Sequence, residues 1–300
     1  MKILLLGKNG QVGWELQRSL APLGEVLALD ARSPQYCGDL TDLDGLASTV
    51  QNYAPNVIVN AAAYTAVDKA ESDFVLARRV NGEAVAVLAE QARKLDCLLV
   101  HYSTDYVFPG DGDKPWEETD TPAPLNLYGA SKLQGEEAIL ASGCRHLILR
   151  TSWVYASRGS NFAKTILRLA TERDSVNVID DQFGAPTGAE LLADVSAHAI
   201  RTLWRQPELG GLYHLAAAGE TSWNFYARFV LDLAAEKGLP LKVSAKDVGA
   251  VPTSAYPTAA RRPTNSRLNT EKLQAAFSVR LPDWQLGVAR MLTEVLEKHQ

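Results

Sequence analysis

A chain of 300 residues that is 46% hydrophobic and 22% charged can build a large α/β domain with a smaller appendage, or two modest domains, and disorder is not indicated. A formal net charge of −5 leaves no basic footprint, so nucleic acid is not an expected partner. Cys37, Cys97 and Cys144 are odd in number, widely spaced and without a C-x-x-C pair, which predicts reduced packing cysteines. No apolar run reaches membrane-spanning length and Met1 leads directly into the first strand, so a cytoplasmic protein without membrane contact is expected.

Lys2 to Leu6 is a short apolar run that reads as a strand. It is followed by Gly7-Lys8-Asn9-Gly10-Gln11-Val12-Gly13 and by helical periodicity over Gln11 to Leu20. Strand, glycine loop and helix in that order describe a dinucleotide-phosphate site. Gly7 allows the tight turn, Gly10 lets the backbone approach a pyrophosphate, and Gly13 lets the helix pack against the strand. Gln11 and Val12 open the helix, whose free amides and positive dipole end face the phosphates. The G-x-x-G-x-x-G spacing is one residue longer than the commonest fingerprint and by itself also fits a plain glycine turn. The strand Glu25 to Leu29 ends in Asp30, where an acid can bind an adenosine ribose. Arg32 follows and could accommodate a ribose phosphate, so NADH and NADPH both stay open.

Further strands are predicted at Val57 to Asn60, Cys97 to Tyr102 and His146 to Arg150, with helices at Leu43 to Tyr53, Phe74 to Lys94 and Tyr128 to Ala141. The alternation predicts a Rossmann-like, doubly wound parallel sheet. Ligands in such sheets sit beyond the carboxyl ends of the strands, where Asn60-Ala61-Ala62-Ala63 and Ser103-Thr104-Asp105 fall. Tyr128 and Lys132 are four residues apart on one helix face. A phenol beside an ammonium can donate a proton near neutral pH, because the positive charge favours the phenolate left behind. Alone, the pair equally fits two surface neighbours.

After Arg150 the pattern is irregular. A loop with Trp153 and Tyr155 leads to a helix from Asn161 to Thr171, a strand from Asn177 to Asp180, the turn Gly184 to Thr187, and helices at Ala189 to Trp204 and Ser222 to Lys237. Gly211 to Leu215 reads as another strand between those two helices. Val251 to Asn269 reads as a long loop with three prolines and Arg261, Arg262 and Arg267; its cations suit phosphate groups or plain solvation. The expected division is a dinucleotide-binding part over 1–150 and 175–215, and a smaller, mostly C-terminal α/β substrate part over 151–174 and 216–300. His101, His146, His198, His214 and His299 show no metal-ligand spacing.

Gly7, Gly10 and Gly13, the acid at 30, Asp39-Leu40, Thr104, and Tyr128 with Lys132 together resemble the extended short-chain dehydrogenase/reductase family. The runs Val57 to Glu71, Ser103 to Phe108, Arg150 to Tyr155 and Arg261 to Leu268 carry a resemblance to sugar-nucleotide reductases of that family over nearly the whole chain. The resemblance implies that NADPH or NADH reduces the 4-keto carbon of a dTDP-sugar, dTDP-4-dehydro-β-L-rhamnose, to give dTDP-L-rhamnose. It implies that Tyr128 protonates the alkoxide, that Lys132 binds the nicotinamide ribose and lowers the Tyr128 pKa, and that Thr104 aligns the sugar oxygen. Gly10, Gln11, Val12, Asp30, Asp39, Leu40, Ala62, Ala63 and Tyr64 fall at the family's cofactor positions. Thr104, Asp105 and Trp153 fall at sugar positions, and Arg262 is the candidate for the nucleotide diphosphate.

Dehydratases of this fold carry Asp-Glu directly after the threonine, whereas Asp105 is followed by Tyr106, so elimination is disfavoured. An epimerase is not excluded by residues alone, although the length of the match argues against it. A regulatory subunit that binds NADP without catalysis is the remaining alternative, disfavoured by the joint presence of Thr104, Tyr128 and Lys132. Some relatives bind Mg²⁺ between subunits, which implies a homodimer with Glu15, Glu190 and Glu294 as metal ligands; each also reads as an ordinary helix-surface carboxylate.

Overall fold

The computed structural model describes residues 1–297. Six strands, β1 (Lys2–Leu6), β2 (Glu25–Leu29), β3 (Val57–Asn60), β4 (Leu98–Thr104), β5 (His146–Thr151) and β6 (Gly211–His214), form one sheet in the order β6-β5-β4-β3-β1-β2. Every pairing is parallel. The alternating side chains of β1 explain why both faces are covered. Ile3 and Leu5 pack with Leu16 and Leu20 of helix α1 (Gln11–Leu20) and with Leu192 and Ile200 of a helix at Ala189–Leu203. Leu4 and Leu6 pack on the other face with Leu46 of α2 (Leu43–Tyr53), Leu88 of α3 (Ala84–Leu95) and Ile139 of α4 (Leu127–Ser142). A parallel sheet buried on both sides needs such continuous apolar strands. The order in which successive strands are added reverses at β1, which has β2 on one side and β3 on the other, and a ligand crevice opens at that switch point.

Side-chain caps fix where several helices begin. The Asn126 carboxamide oxygen accepts from Gly129 N–H at 2.8 Å at the start of α4, and Asp42 accepts from Gly45 N–H at 3.0 Å at the start of α2. Helix α1 begins at Gly10 with no side-chain cap, so its first-turn amides stay available to a ligand.

The helix expected over Phe74 to Lys94 is interrupted. It runs as Phe74–Arg78, a wide π-type turn at Arg79–Glu83, and α3. Asn81 in that turn is buried and bonds both the N–H and the carbonyl of Tyr64 and the hydroxyl of Ser131 in α4. Gly135 permits this approach, because a Cβ there would strike the Asn81 carbonyl.

A second, smaller core lies beside the sheet. Helices α5 (Phe162–Glu172), α7 (Trp223–Glu236) and α8 (Trp284–Glu297), with α6 at Ala189–Leu203 serving the sheet, contribute Ile166, Leu167, Tyr226, Val230, Trp284 and Val288 to it. Short strand pairs join Asn177–Ile179 to Gly249–Val251 and Phe183–Gly184 to Thr221–Ser222. The proline- and arginine-bearing stretch is pinned rather than freely solvated: Thr264 donates to Gly110 O at 3.0 Å, and Ser266 donates to Phe183 O at 2.7 Å. All three cysteines are free thiols. Among the described residues no helix is long and apolar enough to cross a membrane. His299 lies outside the described residues.

Candidate active site

The glycine loop forms the floor of a cleft of about 500 Å³ lined by Gly7, Gly10, Gln11, Ala62, Tyr128 and Lys132, among others. Gly7 has φ +87°, a left-handed conformation that glycine adopts without cost. Its N–H and that of Lys8 donate to Leu29 O at 2.9 and 3.1 Å, which ties the loop to the end of β2. A Cβ on Gly13 would collide with the Gly7 carbonyl, and one on Gly7 would lie 2.7 Å from Ala62 N. The loop, α1 and the alanines after β3 therefore close on one another with no room for side chains. Val12, Ala63, Thr65, Tyr102 and Thr151 complete the walls. The buried carboxamide oxygen of Gln11 has no partner. Uncapped helix amides and a side-chain-free cradle fit the diphosphate of a dinucleotide, and the orphaned Gln11 oxygen can accept from a hydroxyl of the same ligand.

Asp30 follows β2 at the far end of this cradle. Arg32 N–H and the Ser33 hydroxyl each donate to its carboxylate at 3.0 Å, Asn9 donates to its second oxygen, and Lys8 Nζ lies 3.9 Å away. Partial burial works against the charge, but the Ser33 and Arg32 hydrogen bonds and the Lys8 cation outweigh it and hold the carboxyl below its ordinary value. Asp39 accepts from Thr41 N–H and hydroxyl at 2.8 Å each. Leu40 is buried in the core with Leu29 and Leu46, and Tyr64 is held through its backbone by Asn81. Neither Asp39, Leu40 nor Tyr64 is among the residues lining the cleft.

Of the catalytic candidates, Tyr128 and Lys132 line the opposite wall of the cleft, and Thr104 lies beside Tyr128. Thr104 is the last residue of β4, which runs two residues past the Tyr102 end expected from the sequence. Its hydroxyl donates to Asp105 Oδ1 at 3.1 Å and accepts from Tyr106 N–H at 3.1 Å. Asp105 is buried with its other oxygen unpartnered; burial pushes its carboxyl up to about 7, with the nearby Ser266 and Thr104 hydroxyls opposing the shift. Tyr128 packs edge-on against Tyr106 with ring centroids 5.8 Å apart. Burial and the neighbouring Asp105 raise the Tyr128 phenol above its ordinary value, with the Thr104 hydroxyl opposing them. The side-chain nitrogen of Lys132 donates to Tyr102 O at 2.6 Å and lies 3.2 Å from His101 Nε2. Lys132 is itself 2% exposed, and burial brings it down to about 8, with Glu136 opposing the shift.

A second cavity, of about 390 Å³, is lined by Tyr106, Phe162, Ile166, Trp223, Tyr256 and Arg262, among others. Arg262 Nη2 lies 2.7 Å from Asp68 at this cavity. Trp153, at φ +48°, stacks on Trp223 with centroids 3.6 Å apart and planes 16° apart. A Cβ on Gly184 would touch the Trp153 ring at 2.8 Å. Asn81, His101, Trp223 and Ser266 join the site without having been singled out by motif. The one local signal among them is Asn81-Gly82, two poor helix formers inside a helical run; the others are brought in by packing.

The three glutamates meet away from this cleft. Glu15, Glu190 and Glu294 line one small cavity with Tyr155 and Met291. Arg290 lies 3.7 Å from Glu190 and 3.6 Å from Glu294, and Arg18 lies 3.5 Å from Glu15. Among the described residues no three histidine, cysteine or carboxylate side chains are placed to hold a metal ion.

A parallel sheet with a glycine loop at its switch point and a Tyr-x-x-x-Lys pair facing that loop defines a nicotinamide-dependent oxidoreductase of the extended short-chain class. The family model for the RmlD substrate binding domain matches residues 1–297, and the chain belongs to that family. It is 58% identical to a dTDP-4-dehydrorhamnose reductase of Escherichia coli K12 over 295 residues, 98% of each chain. It is 49% identical to one from Burkholderia thailandensis over 304 residues, 99% of this chain and all of that one. Its fold matches a dTDP-4-dehydrorhamnose reductase from Bacillus anthracis, solved in complex with NADP, with a TM-score of 0.86, 33% identity and coverage of 98% and 99%.

Proposed function

We propose that the protein reduces dTDP-4-dehydro-β-L-rhamnose to dTDP-L-rhamnose with NADPH or NADH, the last step of dTDP-rhamnose synthesis. The observation that supports this reading is that Tyr128 and Lys132 line one cleft with the glycine loop, with the Thr104 hydroxyl beside the Tyr128 phenol, in a chain with full-length reductase relatives. The cofactor supplies hydride to the sugar C4. Gly7, Gly10, Gln11, Val12 and Gly13 hold its diphosphate, and Asp30 with Lys8 and Arg32 meets the adenosine ribose. The cations around Asp30 favour a ribose phosphate, and hence NADPH, over free hydroxyls alone.

The protein's own part is to place the ketone and deliver a proton. Thr104 orients the C4 oxygen, and Tyr128, kept protonated through neutral pH by its raised pKa, gives its phenolic proton to that oxygen as it becomes an alkoxide. Asp105 and Trp153 contact the sugar, and Arg262 with the aromatic cavity receives the nucleotide end. Residues 1–150 with 175–215 would then serve the cofactor, and 151–174 with 216–300 the sugar nucleotide. Asp105-Tyr106 in place of Asp-Glu keeps the site from elimination.

Absorbance at the reduced-nicotinamide band tests this directly. Purified protein should oxidise NADPH only when the 4-keto sugar nucleotide is present, and absence of oxidation removes the reading. Tyr128→Phe should lower turnover roughly 10²- to 10⁴-fold while cofactor binding survives; unchanged turnover would remove Tyr128 as the acid. Among the described residues a Mg²⁺ ion has no complete ligand set, so the Glu15, Glu190 and Glu294 cavity would serve a metal with ligands added by a second copy. Sedimentation with and without a chelator reads out both the homodimer and the ion.

A further inference from the structure

The turn at residues 260–262 is tied to the part of the chain that carries Tyr128. One oxygen of the Asp68 carboxylate accepts from Ala260 N–H at 3.1 Å, and the other pairs with Arg262 Nη2 at 2.7 Å. The Asn126 carboxamide nitrogen donates to Arg261 O at 2.9 Å, while its oxygen caps the first turn of α4. Asp68 itself lies in the short helix Val67–Ala70, which follows the alanines beyond β3. The arginine turn is therefore registered on the same helix start that presents Tyr128, far away along the chain.

We propose that Asp68 is a positioning residue: it holds the Arg262 guanidinium in one place beside the second cavity, so that a nucleoside diphosphate binds there at a set distance from Tyr128. The inference rests on the reading of Arg262 as the residue that receives the nucleotide end. Ala260 is fully buried, so its N–H needs a partner within the protein. Supplying that partner fixes the direction of the second Asp68 oxygen, which meets Nη2. A guanidinium is a rigid planar fork with several N–H groups, so one contact sets its plane and leaves others for phosphate oxygens. The Tyr106 phenol lies beside the same guanidinium, and the Tyr106 ring packs edge-on against Tyr128 with centroids 5.8 Å apart.

A carboxylate beside a phosphate-binding cation also has an opposing effect, because it repels the negative charge of the ligand. The Arg262 and Asp68 side chains are 24% and 46% exposed, so solvent and salt screen that repulsion. Orientation is not screened. An arginine free to sample its rotamers loses that freedom when it closes on a ligand, and the Asp68 contact has already removed it in the resting protein.

Equilibrium binding of thymidine diphosphate, without cofactor or turnover, tests the proposal. Asp68→Asn keeps an oxygen for Ala260 N–H but turns an amide donor toward Arg262. It should weaken thymidine diphosphate binding roughly 5- to 20-fold, raise KM for the sugar nucleotide in parallel, and leave the Kd for NADPH unchanged. In an Arg262→Met background the same change should alter the thymidine diphosphate Kd by less than about twofold, because the guanidinium that Asp68 positions is gone. Equal losses in both backgrounds would show that Asp68 only supports the fold, and would overturn the proposal. Tighter binding on Asp68→Asn would make the carboxylate a competitor of the ligand, and would overturn it too. A crystal of the unaltered protein with thymidine diphosphate decides the matter even if Asp68→Asn does not fold. Arg262 should touch phosphate while keeping its Asp68 contact, and an Arg262 that leaves Asp68 for the phosphate sinks the idea. A protein that shows the expected coupling but never oxidises NADPH with the 4-keto sugar nucleotide would remove the reductase reading and leave this assignment standing.

Discussion

Asp105 shows how a single buried group couples the site to stability. Its carboxyl is raised from 3.8 to about 7, so the folded chain holds a proton that the unfolded chain releases. Stabilisation from that proton is complete below about 3.8 and is lost as pH rises through about 7. Asp105→Asn keeps the shape and removes the buried charge; it should raise the melting temperature at pH 8, by at most ~4 kcal/mol of stability, and should leave less dependence on pH between 4 and 7. Thermal melts across that range check it, and parallel pH curves for both proteins would contradict the assignment. Thr104, Tyr128 and Lys132 are legible in the sequence because their spacing is local or family-specific. The raised Tyr128 phenol is not, since it depends on burial beside Asp105.

Among the elements, β1 to β3, α1 and α2 have the bounds that their apolar periodicity predicts. β4 and β5 extend further, to Thr104 and Thr151, because a paired parallel neighbour continues their ladder. The π-type turn at Arg79–Glu83 escapes periodicity, since its stabilising partners, Tyr64 and Ser131, are distant in sequence. That turn depends on close approach to α4, where Gly135 leaves no space for a side chain. Gly135→Val should cost roughly 1–3 kcal/mol, whereas Leu140→Ala on the exposed side of the same helix should stay within about 0.5 kcal/mol. Chemical denaturation of both variants measures the contrast. Equal effects would show that the approach of α4 to the turn is not close-packed.

For the whole molecule, two cavities lie side by side, one lined by the sheet side and one by residues of the smaller core. The sheet side lines the first cleft with the glycine loop, Tyr128 and Lys132, while the smaller core lines the second cavity with Trp223 and Phe162. Trp153 leaves β5 in a left-handed conformation and stacks on Trp223, joining the two. Aromatic stacking is worth about 0.5–1.5 kcal/mol beyond its area, so Trp223→Ala should raise KM for the sugar nucleotide roughly 3- to 10-fold and leave the Kd for NADPH unchanged. Steady-state kinetics beside a cofactor titration separates the two, and a matching loss of NADPH affinity would argue against a substrate-side role.

Apolar strand runs, glycine spacing and the Tyr-x-x-x-Lys pair are local patterns, and from them the sequence alone determined a Rossmann-like sheet, a phosphate loop and the chemical kind of the proton donor. Interactions that span the chain were left to the tertiary structure. It decided that Leu40 sits in the core, that Arg262 pairs with Asp68 beside an aromatic cavity, and that three distant glutamates share one small space with Arg290. It also decided that Asn60 and His101 lie in a buried hydrogen-bonded line with Lys132. The physical reason is burial: a side chain removed from water takes its charge and orientation from whichever groups the fold brings within hydrogen-bonding distance, and those groups are far away along the chain.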